Sequence, residues 1–218
     1  MRLKLAVAAL ALLISLPAVA ADLALKAPSF TATGPCTPTS CTGLYVGGNL
    51  SGNGTNADII GSGLSGSVFA GGGIPGVTAG YQFANGTYFA AAEAGIGWQI
   101  NVGTAVNGVP DNETGYFAYE IAKVGGQISG LLGTQASATI PTALVSRLIS
   151  PYVLVGAVER PFANGWATGA GATFDLSPTL FLDLRYMYVN YGAGASTGGL
   201  TFNNENLVTV GLDYKFGF

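Results

Sequence analysis

The chain has 218 residues, of which 49% are hydrophobic and only 9% charged, with 34 glycines, no histidine and a formal charge of −3. So few charges cannot cover a soluble globule, whose surface takes roughly 25–35% of them, while 11 Phe, 10 Tyr and 2 Trp exclude disorder. The negative balance argues against a nucleic-acid partner, and the missing histidine removes the Ser-His-Asp and Cys-His constellations together with the commonest metal ligand.

In chain order, Arg2 and Lys4 precede an apolar run from Leu5 to Leu16, closed by Pro17 and Ala18-Val19-Ala20-Ala21. A basic start, an apolar core and a small-residue site make residues 1–20 a cleaved secretory signal peptide. The run stops short of the ~20 apolar residues an anchoring helix needs. Residues 21–42 follow as a periplasmic segment carrying Cys36 and Cys41. In an exported, oxidising setting that pair favours a disulfide closing a small loop before the first strand. Two cysteines without histidine give only half a zinc site, and no cofactor is expected.

No later stretch reaches the ~18 apolar residues of a membrane helix. Residues 43–218 are left with the other architecture in which lipid-embedded backbone finds all its partners, a closed antiparallel β-barrel. Its strands should alternate apolar-out with polar or small-in. Leu44, Val46 and Leu50 oppose Tyr45, Asn49 and Ser51 in a first strand. Val77, Ala79, Tyr81 and Phe83 oppose Thr78, Gly80 and Gln82, and the Asn85-Gly86 hairpin signal follows. Residues 87–100 place Tyr88, Ile96 and Trp98 outward, Glu93 and Gln99 inward. A weaker fourth strand, 115–124, is read with Phe117, Tyr119 and Ile121 outward and Glu120 inward. The fifth, 151–159, has two apolar faces and no readable orientation. Residues 165–176 put Trp166 and Phe174 outward and Asp175 inward, before the turn Ser177-Pro178-Thr179. Residues 179–191 turn Leu180, Leu182, Leu184, Tyr186 and Tyr188 out and Asp183, Arg185 and Met187 in. The last strand, 206–218, turns Val208, Val210, Leu212, Tyr214, Phe216 and Phe218 out and Asp213 and Lys215 in.

Eight strands result, with four loop-like connections at 53–73, 101–114, 160–164 and 192–204 on one side. The stretch 125–150 is the outlier among the short turns. After Pro141, residues 142–149 have the pattern of two turns of amphipathic helix, and the alternative is an extra hairpin there, giving ten strands. Gly61-Ser62-Gly63-Leu64-Ser65-Gly66 matches G-x-G-x-x-G but lacks the following helix of a dinucleotide site.

The junction Ala18-Val19-Ala20-Ala21-Asp22-Leu23, the start Gly43-Leu44-Tyr45-Val46-Gly47-Gly48-Asn49, the run GWATGAGATFDLSPTLFLDLRYMYVNYG (165–192) and the ending ENLVTVGLDYKFGF carry a family likeness. The chain resembles the alpha-proteobacterial outer-membrane immunogenic, or porin-family, proteins with a small OmpA-like β-barrel. The resemblance implies an eight-stranded barrel in the Gram-negative outer membrane and no enzyme. It implies also that Tyr214, Phe216 and the terminal Phe218 are the signal read by the barrel-assembly machinery. The Cys36/Cys41 pair and the length of 125–150 depart from the family pattern.

The inward charges Glu93, Glu120, Asp183, Arg185, Asp213 and Lys215 form the candidate site. They are either a selectivity ring or a mutually paired filling. The filling is preferred, because an eight-stranded lumen is only wide enough for side chains. Two functions follow: a structural and surface protein of the cell envelope whose partners are outer-membrane lipid and, during biogenesis, the assembly machinery, or a narrow channel for small solutes.

Overall fold

The computed structural model describes residues 40–59, 65–66, 72–101, 104–106, 109–111, 115–128, 149–161, 163–192, 196–197 and 200–216. The expected signal peptide, Cys36, the helical pattern at 141–148 and Phe218 lie outside them. The chain divides into two units, Met1–Thr33 and Gly34–Phe218, and the strands all belong to the second.

Eight long strands carry the fold: β1 Gly43–Ile59, β2 Gly72–Ala84, β3 Tyr88–Trp98, β4 Tyr116–Gly126, β5 Ile149–Arg160, β6 Ala163–Asp175, β7 Leu180–Asn190 and β8 Leu200–Lys215. Each pairs antiparallel with the next, and β8 returns to β1 from Tyr45↔Lys215 to Ile59↔Leu200. The eight long strands therefore close into a ring in which each has a neighbour on both sides. β4 pairs directly with β5, so no extra hairpin enters the wall and the ten-stranded alternative falls. Among the described residues no helix is long and apolar enough to cross a membrane.

Two turns at the end where the barrel begins and finishes show why their residues are there. In the first, Asn85 Oδ1 accepts the amides of Thr87 (3.3 Å) and Tyr88 (2.9 Å), and Gly86 takes φ +87°, a conformation that suits glycine. In the second, Ser177 Oγ accepts the amides of Thr179 and Leu180. At the opposite end, here the loop end, the β1–β8 ladder climbs past the expected loop boundaries, with an irregularity at Asn56/Ala57. Backbone pairing continues there from Asn53 opposite Leu207 to Asn56 opposite Asn204 and on to Ile59 opposite Leu200.

The outer wall is apolar: Val77 is 60% exposed, Phe83 64% and Val153 63%. Aromatic pairs border it at both ends, Tyr214–Phe216 (5.2 Å between ring centroids) below and Trp166–Tyr188 (6.1 Å) above. From Tyr88 to Trp98 the wall rises by roughly 25 Å, the height of a lipid-facing band. The core lies inside the barrel, where Tyr45, Ile74, Phe117, Met187, Val189 and Leu207 are almost fully buried.

Sequence parity holds for β1, β2, β3, β6, β7 and β8. β4 is the correction: Phe117, Tyr119 and Ile121 point inward with Lys123, and Glu120 points outward. Glu120 and Lys123 have opposite parity, so only one of them can face the lumen, and three bulky side chains that fill it share the face of Lys123. β5 resolves with Tyr152, Leu154, Val158 and Arg160 inward and Val153 and Val155 outward.

Candidate functional site

Within the described barrel, Glu93, Asp175, Asp183, Glu205 and Asp213 face Lys123, Arg160, Arg185 and Lys215, all buried. They sort into three levels.

At the centre, Lys123 Nζ of β4 lies 2.5 Å from Glu93 Oε2 of β3 and 2.9 Å from Asp183 Oδ2 of β7. Arg185 of β7 forms an ion pair with Glu93 through Nη1, which also lies 3.8 Å from Asp183 Oδ2. Strands β3 and β7 stand four apart in a ring of eight, so the Glu93–Arg185 bridge spans the lumen. Three tyrosines complete the acids: Tyr45 and Tyr119 donate to Glu93 at 2.9 and 3.1 Å, and Tyr152 donates to Asp183 at 2.5 Å. The cations also stack, Lys123 over Tyr152 at 5.0 Å and Arg185 over Tyr119 at 4.7 Å.

These tyrosines are possible because of three glycines. Tyr45 pairs across the ladder with Gly80, Tyr119 with Gly95 and Tyr152 with Gly171. In each case the ring occupies the space a Cβ on that glycine would need. The ring thus lies along its own wall and its hydroxyl reaches the central acids.

At the loop end, Arg160 and Glu205 form an ion pair, with Arg160 Nε 3.1 Å from Glu205 Oε2. Asn53 Nδ2 donates to Glu205 Oε1 at 2.8 Å, and Tyr191 donates to Oε2. Arg160 also donates to Tyr191 (3.0 Å) and Gln99, and stacks on Phe117 at 4.8 Å. At the terminal end, Lys215 Nζ donates to the Cys41 carbonyl, which also accepts from Gln82 Nε2 at 3.3 Å. Cys41 is disulfide-bonded.

Of the six charges expected in the lumen, Glu93, Asp183 and Arg185 meet at its centre, Asp213 and Lys215 are buried below it, and Glu120 is outside. Sequence reasoning missed Lys123, Arg160 and Glu205. Strand parity would have found Lys123 had Tyr119 been read as lumen-filling, while Arg160 lies in the loop expected at 160–164 and Glu205 falls between the loop expected to end at 204 and the strand expected to begin at 206. Tyr214 and Phe216 face outward, 46% and 39% exposed. Chemically the centre is an array of mutually compensated charges that fills space, with its acids held by cations and hydroxyls.

No protein-family model and no curated protein matches this chain. Among solved structures it is similar to Neisserial surface protein A (15% identity, 79% of this chain and 97% of that one, TM-score 0.46). It is also similar to Ail, the attachment invasion locus protein of Yersinia pestis (12%, 80% and 97%, TM-score 0.44), and to a de novo designed transmembrane β-barrel (18%, 82% and 99%, TM-score 0.42). What is established of the chain itself, by its own strand register, is a closed eight-stranded antiparallel β-barrel with an apolar outer wall and a charge-filled lumen.

Proposed function

We propose that this chain is an outer-membrane barrel with a structural and surface role in the cell envelope, without catalysis and without a continuous pore. The observation that carries the reading is the central cluster: Glu93 and Arg185 bridge opposite walls, and Lys123, Asp183 and three tyrosines crowd the same level. Ions crossing there would have to part buried pairs, and leaving one member of such a pair uncompensated costs about 3–5 kcal/mol. The reading includes membership of the alpha-proteobacterial porin-family class, on the sequence likeness above. It includes export through the cleaved 1–20 leader, with the short turns periplasmic and the long connections outside.

The assembly machinery engages the C-terminal strand through Tyr214, Phe216 and Phe218. Cys41 pairs with Cys36, the other cysteine of the sequence. Quantitative thiol labelling of unreduced protein checks the pairing and should find no free thiol.

The deciding experiment is planar-bilayer recording with pure protein. The expected result is a silent membrane. Steady single-channel openings would overturn the closed-lumen reading in favour of the narrow channel.

A further inference from the structure

The outer wall changes character where β6 and β7 approach the loop end. Alternation turns Asn164, Trp166, Thr168, Ala170 and Ala172 of β6 outward, beside Asn190, Tyr188, Tyr186 and Leu184 of β7. Trp166 is 51% exposed and stands edge-on to Tyr188. Asn164, Gly165, Trp166, Asn190, Tyr191 and Gly192 line an open cleft of about 330 Å³, at the lower end of the roughly 300–1,000 Å³ of small-ligand sites. Asn190 Oδ1 accepts the amide of Gly192 at 2.9 Å, and Gly192 turns the chain with φ +67°. That contact orients the Asn190 amide and leaves its Nδ2 hydrogens free. The side-chain amide of Asn164 and the indole N–H of Trp166 likewise have no hydrogen-bond partner among the described residues.

Below the cleft, Thr168, Ala170 and Ala172 make a low strip between taller neighbours. Val155 and Val153 of β5 flank it on one side, and Tyr188, Tyr186 and Leu184 of β7 on the other. A shallow groove therefore runs from the cleft down the apolar wall. The charges of this region argue against a phosphate. All four cations among the described residues, Lys123, Arg160, Arg185 and Lys215, are buried in the lumen. Across the ladder from Asn164 stands Glu159 of β5, which accepts from Tyr116 at 3.1 Å and would repel an anion. What the cleft offers is neutral amide donors and an acceptor around an indole. These match the hydroxyls and the C–H face of a sugar ring.

Resting on the reading of the chain as a membrane barrel, we propose that this face binds one glycolipid of the leaflet at the loop end. Its uncharged sugar lies in the cleft of Asn164, Trp166 and Asn190, and an acyl chain follows the groove over Thr168, Ala170 and Ala172. The groove favours a lipid over a free sugar, because it continues the cleft between apolar side chains. Trp166 and Tyr188 also belong to the aromatic girdle of a barrel wall, and a girdle alone would hold lipids without regard to their head groups.

The test is native mass spectrometry of the folded protein released from detergent micelles. The micelles carry one of three lipids with identical acyl chains: a glucosyl diacylglycerol, the diacylglycerol without sugar, or phosphatidylglycerol. One glucosyl lipid per barrel is expected, held about tenfold more tightly than the other two, and soluble methyl glucoside at the same concentration should not displace it. Trp166→Leu, which loses the indole, and Asn190→Asp, which keeps the acceptor for Gly192 but loses the donors, should each weaken retention by about three- to tenfold. Ala170→Leu fills the groove and should do the same. Equal retention of the three lipids, a preference for phosphatidylglycerol, displacement by methyl glucoside, or retention unchanged in these variants overturns the proposal. Heat-modifiable gel mobility shows that each variant is folded, and should Asn190→Asp not fold, Trp166→Leu and Ala170→Leu decide. A chain that does not insert into bilayers overturns the membrane reading and this proposal with it. An inserted barrel indifferent to head group overturns this proposal alone.

Discussion

Glu93 and Glu120 stand on neighbouring strands within one rung of each other, Glu93 opposite Ile121 and Glu120 opposite Ala94, in opposite surroundings. Glu93 is 3% exposed and gathers two cations and two tyrosine hydroxyls. Glu120 lies on the outer face with Ala94 and Ala157 across the ladder and Ala118 and Ala122 along its own strand. The two faces of one wall thus treat the same side chain as a hub and as an isolated charge. Parity of the whole strand decides this, and volume decides parity. Phe117, Tyr119 and Ile121 fill a lumen that has to be filled, and Lys123 supplies a counter-charge that Glu93 and Asp183 require. Against those gains stands one lipid-facing carboxylate, a lighter penalty than the roughly 2–4 kcal/mol of a basic side chain at the midplane.

The contrast breaks most severely at its inner side. Glu93→Ala leaves the buried Lys123 and Arg185 short of an acid and is expected to destabilise the barrel by about 3–5 kcal/mol. A urea titration of the heat-modifiable form reads this, and a midpoint within error of wild type would mean the network is not holding the fold. Gly95→Val comes next. Its side chain enters the space of the Tyr119 ring, and overpacking of this kind destabilises by about 1–3 kcal/mol. Gly52→Val is the control, since nothing lies within 4 Å of a Cβ there, and its midpoint should stay near wild type. The smallest effect belongs to the outer face: Glu120→Ala is expected to change stability by no more than about 1 kcal/mol, in the stabilising direction. A loss as large as that of Glu93→Ala would erase the distinction between the two surfaces.

Legibility followed the same division. β7 and β8 read directly, because Leu182, Leu184, Tyr186, Val210, Leu212 and Tyr214 alternate with Asp183, Arg185, Asp213 and Lys215. β4 misleads, because its largest apolar residues point inward and the rule of apolar-out fails where aromatic rings fill a narrow lumen. β5 is silent, with Leu154 and Val158 on one face and Val153 and Val155 on the other. A usable signal exists in the tyrosine–glycine pairs Tyr45/Gly80, Tyr119/Gly95 and Tyr152/Gly171, but it becomes visible only after the register is known.

The amino-acid sequence by itself determined a closed antiparallel barrel, its apolar outer wall and most of the residues that face inward, while the direct pairing of β4 with β5 decided eight strands against ten. These follow from composition and a period of two, both local properties of the chain. Tertiary structure alone decided which charges meet. Glu93 and Arg185 are 92 residues apart, Lys123 and Asp183 are 60 apart, and Arg160 and Glu205 are 45 apart. Periodicity assigns a side chain to a face, whereas its partner depends on register around the ring and on closure across the lumen, which no local pattern encodes.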